Sequence, residues 1–174
     1  MNSRTNMRMA VFYAFMVLLL AATCSSCLHY SMKDVTIDKN IKTIRVNYID
    51  NKARIVNPQL SPQLTERLRQ KINNQTNKTL IQGDPDLDIL ATITDYSIGT
   101  SAISGNRSAT NRLNITVHVK VINRLDEKQN KETDVTRNFD FDASLSLEQA
   151  QAQLLETILK NLSDEIFNSL FSNW

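Results

Sequence analysis

Two cysteines three positions apart, Cys24 and Cys27, and the alternating aspartates Asp84, Asp86 and Asp88 have types and spacings suited to chemistry, as do His118, Arg107 and Arg112. A Cys-x-x-Cys pair can cycle between dithiol and disulfide, but such a pair belongs at a helix start within a folded domain. Here it abuts an apolar leader. A zinc centre needs three or four ligands, and the chain has only two cysteines and two histidines. The aspartate triplet resembles half of a calcium loop; it lacks the glycine at the sixth position and the closing glutamate, so Gly83-Asp84-Pro85 reads as a turn. His118 stands among polar residues of a strand and reads as a solvated surface side chain. Asp140 and Asp142, on either side of Phe141, read as charges that solvate the last strand. Arg107 and Arg112 can grip an anion through paired hydrogen bonds, with solvated loop charges as the alternative. No nucleophile with a base, no metal set and no phosphate loop stands out. The sequence predicts no catalytic residue, no metal and no cofactor, and a binding or structural part in place of an enzyme.

The cysteines have a different use. Residues 1–9 carry Arg4 and Arg8 and no acid, and residues 10–22 are an unbroken apolar run. A positive start, a short apolar middle and small residues after it make a secretory signal peptide, and the run is too short for a transmembrane helix of about twenty residues. Thr23-Cys24-Ser25-Ser26-Cys27 then stands where a bacterial lipoprotein is cleaved and acylated. Cys27, preceded by two serines, is the better lipidation candidate; Cys24, after Ala21-Ala22-Thr23, is the alternative. Multiple acyl chains make such an anchor stable. Residues 1–26 are thus expected to be a signal peptide, 27–40 a lipidated cysteine and linker, and 41–174 a single domain.

The elements that would position Arg107 and Arg112 follow from periodicity. Residues 41–50 alternate as a strand, with Ile44, Val46 and Tyr48 on one face. Ser61-Pro62 reads as the N-cap and first position of a helix whose Leu64, Leu68 and Ile72 share a face. A short strand at 79–81 precedes a longer one at 87–97, with Leu87, Ile89, Ala91 and Ile93 in phase. Residues 98–110 are rich in Ser, Thr, Gly and Asn and read as a wide hairpin loop. Residues 112–123 give the clearest strand, with Leu113, Ile115, Val117, Val119 and Val121 on one side. After a charged turn, 133–141 forms the last strand, with Val135, Phe139 and Phe141 in phase. Ser146 and Gln149 have capping-box spacing before a final helix carrying Ala150, Leu154, Ile158 and Leu162 at intervals of four, with Leu147, Leu155, Ile166, Phe167 and Leu170 beside them. The predicted fold is α+β, in the order β-α-β-β-β-α. Two helices pack on one face of a mostly antiparallel four-stranded sheet, and the other face is left for a partner.

Composition supports one folded domain: 174 residues, 41% apolar and 22% charged. The net charge is +2, and loss of Arg4 and Arg8 with the leader balances the rest, which argues against a nucleic-acid partner.

Several stretches resemble one family, the LptE-related lipopolysaccharide-assembly lipoproteins of Gram-negative bacteria. Cys27-Leu28-His29-Tyr30-Ser31 is similar to the family's C-x-x-Tyr-Ser opening. The similarity continues through residues 55–61, 64–68, 92–96, 103–106 and 111–117, then 139–144 and the closing Ile166-Phe167-Asn168 and Asn173-Trp174. Departures are Cys24 where leucine is usual and Leu28-His29 where a small residue commonly follows the lipidated cysteine. The resemblance implies a periplasm-facing outer-membrane lipoprotein, anchored by its N-terminal lipid, that plugs the lumen of the LptD β-barrel and assists delivery of lipopolysaccharide to the cell surface. It carries over no catalytic motif. A lipoprotein that activates a cell-wall synthase or serves another envelope complex would share this anatomy. So would a surface lipoprotein of an uptake system, although residues 28–33 lack the acids of some surface-export signals.

Overall fold

The alternation of apolar and polar residues is converted into one sheet in the computed structural model, which describes residues 37–100 and 110–171. The strands are β1 (Thr43–Val46), β2 (Asp50–Asn51), β3 (Thr79–Leu80), β4 (Leu87–Thr100), β5 (Thr110–Asn123) and β6 (Lys131–Asp142). Helix α1 (Leu60–Gln75) lies between β2 and β3, and α2 (Leu147–Phe171) closes the chain. Leu113, Ile115, Val117, Val119 and Val121 of β5 are all buried, in phase with Val135, Phe139 and Phe141 of β6. Both helices cover that face. The core also takes in Ile37 and Ile41, ahead of the first strand.

The sheet is larger than the expected four strands, and it is mixed. Its order is β3-β1-β4-β5-β6, with β2 also paired to β4. β4, β5 and β6 are antiparallel neighbours, whereas β1 runs parallel to both β3 and β4, and β2 parallel to β4. The physical reason is α1, which carries the chain back along the sheet, so that the strands on either side of it run the same way. β1 and β2 are one extended run interrupted by a bulge. Val46 pairs with Ile89 and Asp50 with Thr92, so three residues, 47–49, face two. The extra residue turns Tyr48 outward, against the expected phase, and places Ile49 in the core. A second bulge in β4 falls between Ile93 and Asp95. It leaves Leu87, Ile89, Ala91 and Ile93 inward as expected and then brings Tyr96 onto the same side.

Helix α1 starts earlier than its sequence suggests. Its N-cap is Gln59, with no side-chain cap, and Ser61 lies buried within the first turn instead of capping it. Pro62 is tolerated there because first-turn N–H groups have no partner within the helix. Asn57 organises the entry: its side-chain oxygen accepts from the Gln59 N–H at 2.9 Å. Leu64, Leu68 and Ile72 form the buried face as predicted. Helix α2 begins with the predicted capping box: the Ser146 N–H donates to Gln149 Oε1 at 3.0 Å, and the Gln149 N–H to Ser146 Oγ at 3.2 Å. Its buried stripe is Ala150, Ile158, Leu159, Leu162, Ile166, Phe167, Leu170 and Phe171; Leu154 and Leu155 are only partly covered. Strands β4 and β5 run to Thr100 and from Thr110, so residues 98–100 and 110 of the expected wide loop are strand, and the rest of it lies outside the described residues.

Candidate interaction surface

The face of the sheet away from the helices is polar and paired within itself. Arg112 on β5 holds Asp140 on β6 through two hydrogen bonds, Nε to Oδ1 at 2.7 Å and Nη2 to Oδ2 at 3.0 Å. Further along the same two strands, the Thr116 and Thr136 hydroxyls meet at 3.0 Å, His118 Nδ1 lies 2.8 Å from Asp134 Oδ1, and Lys120 pairs with Glu132. Toward the start of β4, Arg45 forks onto Asp88, which also accepts from Asn47 Nδ2 at 2.7 Å. The Arg45 hydrogen bond, then that of Asn47, holds the Asp88 carboxyl below the usual carboxylate range against the opposing effect of burial. Arg112 does the same for Asp140, and Lys120 for Glu132.

The aspartate triplet is divided among different partners. Asp86 accepts from the Lys42 and Thr43 N–H groups at 2.8 and 2.9 Å and so ties the turn to β1. Asp84 faces Arg124 at 3.2 Å, and Asp88 faces Arg45. Among the described residues no group of three or more His, Cys, Asp and Glu could hold a metal ion.

Of the sequence-predicted site residues, Arg112 is on the exposed face and already engaged by Asp140. Arg107, Cys24 and Cys27 lie outside the described residues. A second feature was not anticipated. Both helices start at the sheet end marked by Thr100 and Thr110, and a groove of about 550 Å³ opens between residues 55–59 and the first turns of α2. Tyr96 is 1% exposed, and burial raises the pKa of its hydroxyl. The side-chain amides of Asn57 and Gln151, both in the groove wall, approach that hydroxyl without closing a hydrogen bond of good geometry. Strict alternation would assign Tyr96 to the polar face with Thr92 and Thr94; the β4 bulge is what turns it inward.

A six-stranded mixed sheet with two helices on one face and a charge-paired polar surface on the other defines an α+β domain. The chain belongs to the LptE lipopolysaccharide-assembly family, whose model matches residues 41–170. Its part is therefore one in lipopolysaccharide assembly. No curated protein sequence matches the chain significantly. Among solved structures, a minor lipoprotein from Acinetobacter baumannii is similar in fold, with a TM-score of 0.50 and 14% identity over 76% of this chain and 94% of that one. Rare lipoprotein B from Shewanella oneidensis matches at a TM-score of 0.42 and 16% identity, over 74% of this chain and 93% of that one. Lipoprotein B from Nitrosomonas europaea matches at 0.44 and 14%, over 82% and 85%.

Proposed function

We propose that this chain is anchored in the outer membrane through a lipid on Cys27, faces the periplasm, and plugs an LptD-type β-barrel during assembly of lipopolysaccharide at the cell surface. The family match across residues 41–170 carries the reading. The sheet's free face suits it, because the lumen of a large outer-membrane barrel is polar. A surface whose charges are neutralised in cross-strand pairs can lie against such a wall without burying an unpaired charge. Arg107 and Arg112 are the proposed contacts for an anionic group of the barrel or of lipopolysaccharide. At Arg112 the incoming group must take the place of Asp140, exchanging one bidentate partner for another.

Purification of the full-length lipoprotein from membranes tests the reading. Recovery with a large outer-membrane barrel is expected, and recovery with a cell-wall synthase alone would replace it. Intact mass and acyl labelling test the anchor: labelling should vanish in Cys27→Ala and persist in Cys24→Ala, and the reverse pattern would move the lipid to Cys24.

A further inference from the structure

The two edges of the sheet are built differently. At one, β3 is two residues long, and the run from β1 to β2 is bulged and has Arg69 and Thr65 of α1 bonded to its backbone. At the other, β6 pairs with β5 from Lys131 to Asp142 without a register shift and contains neither proline nor glycine. Among the described residues no strand lies beyond it. In an antiparallel ladder every second residue of an edge strand turns its N–H and C=O toward the neighbour, and the alternate set points outward. Helix α2 steadies β6 from the core side: Arg137 pairs with Glu165, and Lys131 Nζ donates to the Ser169 carbonyl at 2.7 Å. Thr136, Arg137 and Asn138 are all exposed, so both faces of the strand reach solvent at its middle. A long, straight edge of this kind is a template for one more strand.

Charge selects the occupant. On the polar face β6 carries Glu132, Asp134, Asp140 and Asp142 and no cation. Arg112, His118 and Lys120 stand beside them on β5, the inner side, and an added strand would meet the same acids from the outer side. A second copy of this chain fits poorly. Symmetric antiparallel pairing about residue 136 sets Glu132 opposite Asp140; about 137 it sets Glu132 opposite Asp142 and Asp134 opposite Asp140; about 138 it sets Asp134 opposite Asp142. Like charges directly opposite one another are destabilising.

We infer that β6 accepts, along its open edge, an extended segment of another polypeptide with lysine or arginine at alternate positions facing these acids. The wall of a closed barrel is not the source, because every strand there is already paired. The inference thus adds a contact to the plug reading and does not depend on it.

The test uses the full-length lipoprotein in detergent and a short synthetic peptide of alternating lysine and valine, blocked at both ends. At about ten times the peptide's Kd, amide exchange should slow about tenfold at alternate residues of β6. Two further peptides, methylated on the backbone nitrogens of either the lysines or the valines, keep the charge and block opposite edges. One should bind as the parent does, and the other should lose about tenfold or more, because only one edge of a strand meets β6. Asp134→Lys should weaken the parent peptide by about fivefold, the measure of one cross-strand charge pair. A glutamate–valine peptide should not bind. Absence of binding by the lysine peptide would overturn the inference, as would binding without slowed exchange in β6. Equal binding of the two methylated peptides would mean attraction by charge alone and overturn it too. Unchanged binding in Asp134→Lys, or equal binding of the glutamate peptide, would refute the basic occupant. Slowed exchange in β6 that follows protein concentration without peptide would make the occupant a second copy and equally overturn the inference.

Discussion

Val46 and Ile49 are both buried although they stand three residues apart on one run of extended chain, an odd separation that regular pleating would place on opposite faces. The bulge between β1 and β2 reconciles them, and side chains of α1 seal the outer edge there. Arg69 Nη2 donates to the Val46 carbonyl at 2.8 Å, and the Ile49 N–H donates to Thr65 Oγ1 at 3.0 Å. These bonds occupy two backbone groups of the sheet edge beside the bulge, a recurrent guard against unwanted strand pairing.

The bulge makes a direct prediction. Ile49→Ala should destabilise the domain by about 2–5 kcal/mol through lost burial and the cavity left behind. Tyr48→Ser, on the solvent side, should stay within about 0.5 kcal/mol. Urea melts of the two variants check this. Equal losses would mean that the phase does not change at residues 47–49.

The same two residues show how far sequence reading reaches. Where one period runs unbroken, as from Leu113 to Val121, the faces were legible and the structure keeps them. The Ser146 and Gln149 pair was legible too, because a capping box is a local motif with fixed spacing. What periodicity does not encode is an inserted residue. Both bulges arise from pairing with a neighbouring strand, so alternation alone places Tyr48 on the wrong face and does not turn Tyr96 inward. The parallel pairing is hidden for a related reason: β2 is two residues long, too short to show a period, and the short strand expected at 79–81 carries no sign of which way it pairs. The groove wall joins residues 55–59 to the start of α2, nearly ninety positions later in the chain, and only the tertiary fold brings them together.

The Arg112–Asp140 pair separates binding from stability. Both side chains are about half exposed, at 44% and 50%, so the pair contributes little to the fold. Arg112→Ala should leave the melting temperature unchanged within error. If Arg112 serves an anionic group, the same change should weaken that contact, whereas Asp140→Ala should strengthen it by freeing the guanidinium. Crosslinking yield to the barrel or to lipopolysaccharide, from a probe at Asn114, reads both changes. Equal yields in parent and both variants would remove Arg112 from the working surface.

Acid should loosen the lower part of the sheet. Asp88 is 5% exposed, and its carboxyl is held below the ordinary range by Arg45 first and Asn47 second. A group whose pKa is depressed on folding contributes stability that is complete above its unfolded value, about 3.9 for Asp, and is lost as pH falls through the lower folded value. The urea midpoint should therefore be flat near neutrality and fall below about pH 4. Asp88→Asn should lower the midpoint at pH 7, because Arg45 loses its carboxylate, and should make the acid limb shallower. An acid limb as steep in Asp88→Asn as in the parent would place the titrating carboxylates elsewhere, with Asp86, Asp140 and Asp142 as the next to test.

Helix α2 provides the sharpest test of the packing, because two apolar positions four residues apart differ in burial. Ile158 is 1% exposed and belongs to the core, while Leu154 only leans against it. On regular i, i+4 spacing the two would be equivalent. The first turns of α2 border the groove beside residues 55–59, while the later turns lie against α1. There Lys71 Nζ reaches Asp164 Oδ1 at 2.8 Å and sits 5.2 Å above the Phe167 ring. Ile158→Ala should cost about 2–5 kcal/mol, as a buried truncation with little room to relax. Leu154→Ala should cost about 1 kcal/mol, in proportion to the smaller area it withdraws from water. Denaturant melts of the two full-length variants give the comparison directly. A Leu154→Ala loss as large as that of Ile158→Ala would mean that the start of α2 is as tightly packed as its middle.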